Sequence, residues 1–277
     1  MVTSEPVGVL VRRWRDRRSR SQMDVALAAN LSTRHLSCIE TGRAVPSRQM
    51  IERLCDELDV PLRERNAFHL AAGFAPVHPE RPLDDLGAAR EVVRAVLAGH
   101  EPSPALAVNV RWELLSANRA ATAFFTGLPA SLLAPPVNVL RATLHPDGLA
   151  PRIRNLAQWR AHVLRRIRRQ LARTAAEGLA DLLTELESYP APGVPAEEEQ
   201  PRNDLAVPLL LSSHDGDLAF LYTTTVFGSP RDVTLDEIAI ETFFPADAVT
   251  AEVLRKAAGA GGQPEPGRPG FARPGGR

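Results

Sequence analysis

SQMDVALAANLSTRHLSCIETGRAVPS, residues 21–47, decides how the N-terminal quarter of this chain folds. Ser21 stands as N-cap of a short alanine-rich helix, Asp24 to Ala29. Leu31-Ser32-Thr33 forms a turn, and Ser32 caps a second helix from Thr33 to Glu40. Gly42 follows at the C′ position, where a left-handed backbone stops a helix at little cost. Two short helices crossing at a steep angle need small residues where they touch, and Ala26 and Ala29 supply them. Leu36 and Ile39 are spaced to anchor the second helix in a core. That leaves Thr33, Arg34, Ser37 and Cys38 on its free face.

Upstream, Val7, Leu10, Val11 and Trp14 form the apolar face of a first helix. Downstream, Ser47 caps a helix carrying Ile51, Leu54, Cys55 and Leu58, and Pro61 starts a last one through Phe68 and Leu70. Residues 1–75 therefore read as an all-α domain. The free face of the second short helix suits a DNA major groove. Gln22 and Ser32 sit at helix N-termini, where side chains and backbone N–H groups meet phosphates, and Arg43 reaches a neighbouring phosphate. An amphipathic bundle that binds protein instead would show the same burial pattern. Glu40 reads as a helix-packing or arginine-pairing residue. SQxDxA followed by LSxRxLSxIExGRxxPS resembles the repressor-like helix-turn-helix regulators often called XRE-type. The resemblance implies that Gln22 and Arg43 grip the DNA backbone while Thr33, Arg34 and Ser37 face bases; Cys38 stands where the family often carries a longer polar reader. Double-stranded operator DNA is the implied partner. A homodimer is expected, because one recognition helix reads too few bases.

Composition sets the frame around this domain. The 277 residues carry 33 basic and 33 acidic side chains, with 44% hydrophobic and 24% charged residues, as in an ordinary folded protein. The neutrality hides a basic end: Arg12, Arg13, Arg15, Arg17, Arg18, Arg20, Arg34, Arg43 and Arg48 face only Glu5, Asp16, Asp24 and Glu40. Such clustering suits a polyanion. A coding bias toward arginine, visible in Lys256 as the sole lysine, accounts for the total but not for the clustering. Cys38 and Cys55 lack metal-ligand spacing and fit a reducing compartment. Without a membrane-spanning run or a signal-peptide core, a cytoplasmic location is expected.

The proline-rich stretch 74–82 reads as an interruption, giving a linker at 76–83. Residues 84–258 mix periods. A helix is expected over Leu86–Leu97, strands over Leu106–Asn109 and Trp112–Ser116, and a helical turn over Asn118–Phe125. Ile153, Leu156, Val163, Leu164, Ile167, Leu171 and Ala175 mark one face of a long helix, followed by another over Leu179–Leu186. Tyr189–Arg202 reads as an exposed loop. Alternation at Leu205, Val207, Leu209 and Leu211, a turn at His214–Asp217, a strand over Leu218–Phe227 and a third within Val233–Phe244 complete the domain. This is the element order of a PAS-like domain, so the whole is α+β, with an antiparallel sheet and helices on one side. The Gly/Pro/Arg tail, 259–277, is expected to be disordered.

RWELLSANRA, residues 111–120, resembles the RWxxLxxNxxA signature of MmyB-like regulators, and Asn138–Arg141 and the helix around Trp159 follow in the same order. The resemblance implies a PAS-like ligand-binding domain and a small apolar, fatty-acid-like ligand; no other cofactor and no metal is expected. Trp112, Asn118, Phe124, Phe125, Trp159, Phe220 and Tyr222 are the candidate ligand contacts. The aromatics serve equally as plain core, and Asn118 serves equally as a helix N-cap. The arginines of the long helix (Arg160, Arg165, Arg166, Arg168, Arg169, Arg173) read as a solvated face from which one member pairs with a ligand carboxylate. Catalysis finds no support: the histidines are scattered, and no HExxH, GxSxG, phosphate-binding loop or GxGxxG occurs. The expected protein is a transcriptional regulator with a ligand sensor. Its alternative is a regulator whose second domain only dimerises or recruits protein.

Overall fold

The computed structural model describes residues 5–190, 207–214 and 216–260. Most of the loop expected at Tyr189–Arg202, together with Leu205, Asp215 and the tail from 261 onward, lies outside them. The N-terminal region is built from α1 (Val7–Arg17), α2 (Gln22–Ala28), α3 (Thr33–Glu40), α4 (Arg48–Glu57) and α5 (Leu62–Ala71). The side chains of Ser21, Ser32 and Ser47 accept hydrogen bonds from the backbone N–H groups of Asp24, His35 and Met50. Each such cap contributes about 1 kcal/mol and fixes where its helix begins. Gly42 sits at φ 73°, just past α3, where a side chain would be strained. Trp14, Leu36, Ile39, Ile51, Leu54, Leu58 and Phe68 are fully buried in one apolar core.

The connection to the second domain is held from α5. The Asn66 amide donates to the His78 carbonyl at 2.7 Å and its oxygen accepts from the Val77 and His78 N–H groups. A 3-10 turn, Leu83–Leu86, and Gly87 at φ 45° precede α6 (Ala88–Gly99). The expected helix thus begins about half a turn later, because Gly87 breaks it from Leu86.

Antiparallel strands β1 (Ala105–Val108), β2 (Leu114–Ala117), β3 (Leu209–Ser213), β4 (Gly216–Val226) and β5 (Ala239–Pro245) form a curled sheet ordered β2-β1-β5-β4-β3. Between its two halves run α7 (Arg119–Thr122), α8 (Val139–Leu144), α9 (Leu156–Thr174) and α10 (Leu179–Ser188). This is the α+β, PAS-like architecture, with its main helical layer over one face. β1 is buried on both faces: Leu106 and Val108 join the core under α9, while Ala105 and Ala107 pack with Val93 and Leu97 of α6. The second strand begins two residues later than expected, since Trp112 occupies the turn at φ 64°. Ile153 falls outside α9 and bridges Leu211 instead. Asp232 caps α11 (Val233–Glu237), so only Ala239 onward is strand, and α12 (Ala248–Ala260) follows.

Gly8 marks the tightest approach between helices. A Cβ there would lie 2.1 Å from the Ile39 carbonyl oxygen at the end of α3. Gly8→Ala would gain about 1 kcal/mol of helix propensity. The clash is with rigid backbone, so the overpacking cost of about 1–3 kcal/mol should exceed it. A lower urea midpoint is expected, and an unchanged or raised midpoint would contradict this contact.

Candidate functional site

Helix α3 buries Leu36, Ile39 and Glu40 and leaves Thr33 and Arg34 exposed, with Ser37 and Cys38 half-buried beside them. Glu40 fixes the orientation. Its carboxylate accepts from Arg15 Nε at 2.7 Å, Arg15 Nη2 at 3.1 Å and Gln22 Nε2 at 2.8 Å, tying α1 and α2 to α3. Gln22 therefore stands at the α2 N-terminus with its amide nitrogen already engaged. Ser32 spends an acceptor on the His35 N–H, and its own hydroxyl proton stays available. Arg43 lies exposed past Gly42, its Nε donating to Thr41 Oγ1 at 3.0 Å.

The basic N-terminal cluster divides by role. Arg13 pairs with Glu5 at 2.5 Å, and Arg20 donates to the Glu57 carbonyl at 2.8 Å. Arg18 Nε donates to the Leu58 carbonyl at 2.8 Å, and its Nη2 donates to the Arg173 carbonyl at 3.0 Å. Arg17 Nη1 donates to the Leu171 carbonyl at 2.8 Å. Much of the clustering therefore serves helix C-termini and the contact between domains, where cationic donors meet orphan carbonyls.

In the second domain a cavity of about 60 Å3 lies between α9 and the sheet. Trp112, Phe124, Phe125, Trp159 and Tyr222 line it, as do Leu140, Val163 and Phe243. Phe220 does not: it is fully buried behind the wall, edge-on to Phe124 with ring centres 5.5 Å apart. Asn118 does not either. Its side chain accepts from the Ala105 and Ala121 N–H groups and donates to the Leu97 and Ser103 carbonyls, so it caps α7 and ties it to β1. Four backbone partners leave it nothing for a ligand.

The polar end of the cavity joins Tyr222 and Arg166 to two groups that residue spacing alone did not single out, His162 and Glu241. His162 Nε2 and the Tyr222 hydroxyl are hydrogen-bonded, and His162 stacks on Trp159 at 5.7 Å. Arg166 grips buried Glu241 through both terminal nitrogens, at 2.7 and 2.6 Å, with its guanidinium carbon 4.5 Å from the Trp112 ring centre. His162 stands one turn after Trp159, so the helical period of α9 could have found it. Glu241 carried no such signal; the pairing of β5 with β1 and β4 brings it here. Trp159 Nε1 is buried with no hydrogen-bond partner among the described residues. Nor do these residues contain a metal-ligating cluster of His, Cys, Asp and Glu, or a helix long and apolar enough to cross a membrane.

Fold and site together define a transcription regulator: a helix-turn-helix domain for DNA joined to a PAS-like domain for a small molecule. Residues 6–68 match a helix-turn-helix domain, and residues 89–257, more than half of the chain, match the MmyB-like transcription regulator ligand binding domain. The chain belongs to that MmyB-like family. No curated protein matches it.

Burial, reinforced by Arg165, Arg166 and Arg169, holds the His162 imidazole below its ordinary pKa, and burial does the same for His78. The unfolded imidazole takes a proton near pH 6.5 (about the free value), before the folded one does. Their contribution to stability is thus complete above about pH 6.5 and is lost as pH falls through the folded values. Urea unfolding between about pH 7.5 and 5 should show this loss, with a shallower slope in His162→Gln. Equal slopes would contradict the assignment.

Proposed function

We propose that this regulator reads operator DNA with the exposed face of α3, as a homodimer, and senses a small apolar, fatty-acid-like molecule in the aromatic cavity. The observation that carries the DNA reading is the Glu40 clamp, which holds α2 and α3 so that Thr33, Arg34, Ser37 and Cys38 stay free. Gln22, Ser32 and Arg43 flank that face as phosphate contacts. The proposed division is a DNA-binding domain at 1–75, a linker at 76–83, a sensor at 84–258 and a tail at 259–277.

Support for the apolar ligand comes from the lining and from Trp159 Nε1, a buried donor without a partner. A buried unsatisfied donor costs about 1–3 kcal/mol, which a ligand oxygen would recover. Arg166 is already neutralised by Glu241, so Trp159 is the donor assigned to the ligand's polar end. At 60 Å3 the cavity is far below the roughly 300 Å3 that a ligand site needs. Phe124 and Phe125, half-buried on a 3-10 turn, are the side chains that must move to admit an acyl chain. The closed cavity is also the observation that favours the rival reading, a second domain that only dimerises or recruits protein.

On the upstream region of the regulated gene, Arg34→Ala should weaken specific binding more than non-specific binding, by about 1–3 kcal/mol. Arg43→Ala should lower both alike and flatten the salt dependence. If neither change alters a salt-dependent gel shift, the recognition face is misassigned.

For the sensor, mass spectrometry of an organic extract of the purified protein should find an acyl compound. Thermal shifts with fatty acids should shrink in Trp159→Phe, which keeps the ring and removes the N–H. An empty extract together with no thermal shift would leave the dimerisation reading standing.

A further inference from the structure

A second space, of about 570 Å3, lies between the two domains, well within the range of small-molecule sites. Pro61, Arg63 and Glu64 line it from the DNA-binding side; Arg111, Arg169 and Arg173 line it from the other. Most of its charges are already matched. Arg63 is bidentate to Glu237 at 2.6 and 3.0 Å, Arg111 meets Glu113 at 3.4 Å, and Arg166 belongs to Glu241. Glu64 lies 3.7 Å from Arg13, and Asp236 accepts the Leu62 N–H at 3.1 Å. Two guanidiniums remain without a partner among the described residues, those of Arg169 and Arg173, successive turns of the same face of α9. Glu177 is the one lining carboxylate left in the same condition.

We propose that this groove binds a small organic phosphate, with the phosphate group held by Arg169 and Arg173. Guanidinium forks match phosphate oxygens in pairs, and two forks a turn apart offer more donors than a carboxylate can accept. The remaining volume takes the organic part, against Pro61 on one side and Val108 and Ile238 on the other. Because both domains line the groove, an occupant favours the docked arrangement over any in which they separate, as an effector must. The groove shares the Trp112, Arg166 and Tyr222 wall with the aromatic cavity, but Arg169 and Arg173 line the groove alone, so the proposal stands whether or not that cavity admits an acyl chain.

Titration of the full chain with inorganic pyrophosphate at constant ionic strength tests this, read by calorimetry and by thermal shift. Saturable binding with a raised melting temperature is expected. The double variant Arg169→Gln/Arg173→Gln should bind at least about tenfold more weakly, and Glu177→Gln more tightly, since it removes the opposing charge. Arg168→Gln, which alters an exposed arginine paired with Glu187, should bind as wild type. The proposal is overturned by absent saturation in the wild type, or by equal affinity in the double variant. It is also overturned if the double variant loses operator affinity when pyrophosphate is absent, because the two arginines would then track the DNA backbone.

Discussion

Helix α9 ends in carbonyls that its own geometry leaves short of donors, and the arginines of another domain take them. Arg17 and Arg18, at the end of α1, donate to the Leu171, Ala172 and Arg173 carbonyls. The same α9 supplies Trp159, His162, Val163 and Arg166 to the cavity wall. One rigid rod therefore runs from the ligand space to the first helix of the DNA-binding domain. Arg17 and Arg18 also lie over the buried Trp14 ring, at 5.5 and 5.1 Å, so the contact bears on the core beneath α3.

That junction explains why a neutral chain can carry a basic end without devoting it to DNA. Helix C-termini are negative, and several arginines of residues 12–20 are spent on them. What remains exposed on and just after α3 is a short polar face plus Arg34 and Arg43. So few cations would give a modest, salt-sensitive DNA affinity.

The closed cavity sets the thermodynamic terms for sensing. An apolar molecule entering between α9 and the sheet must open an aromatic cluster that is well packed without it. A ligand there would alter DNA binding only as far as it binds two arrangements of the protein differently, and not by how tightly it binds one of them. Trp112, held at positive φ in the β1–β2 turn and stacked under Arg166, is the strained element at this boundary.

Residues 21–47 by themselves determined the helix-turn-helix. Its caps, its stop at Gly42 and the inward set of Leu36 and Ile39 all follow from local hydrogen bonding and a 3.6-residue period, which a sequence displays directly. Much of the strand and helix order of the second domain was legible for the same reason, but α8, α11 and α12 were not expected and Ile153 fell outside α9. Boundaries shifted at Gly87 and Trp112, where a left-handed backbone overrides the apolar pattern. Tertiary structure decided the rest. Asn118 met the backbone of Leu97, Ser103, Ala105 and Ala121, and Phe220 was placed by its pairing with Leu209 and Pro245. Arg166 met Glu241 through β5, which pairs with β1 across more than a hundred residues. Such pairings bring together groups whose local sequences carry no trace of one another, as Glu241 and Arg166 do not, and only the folded chain puts them in one place.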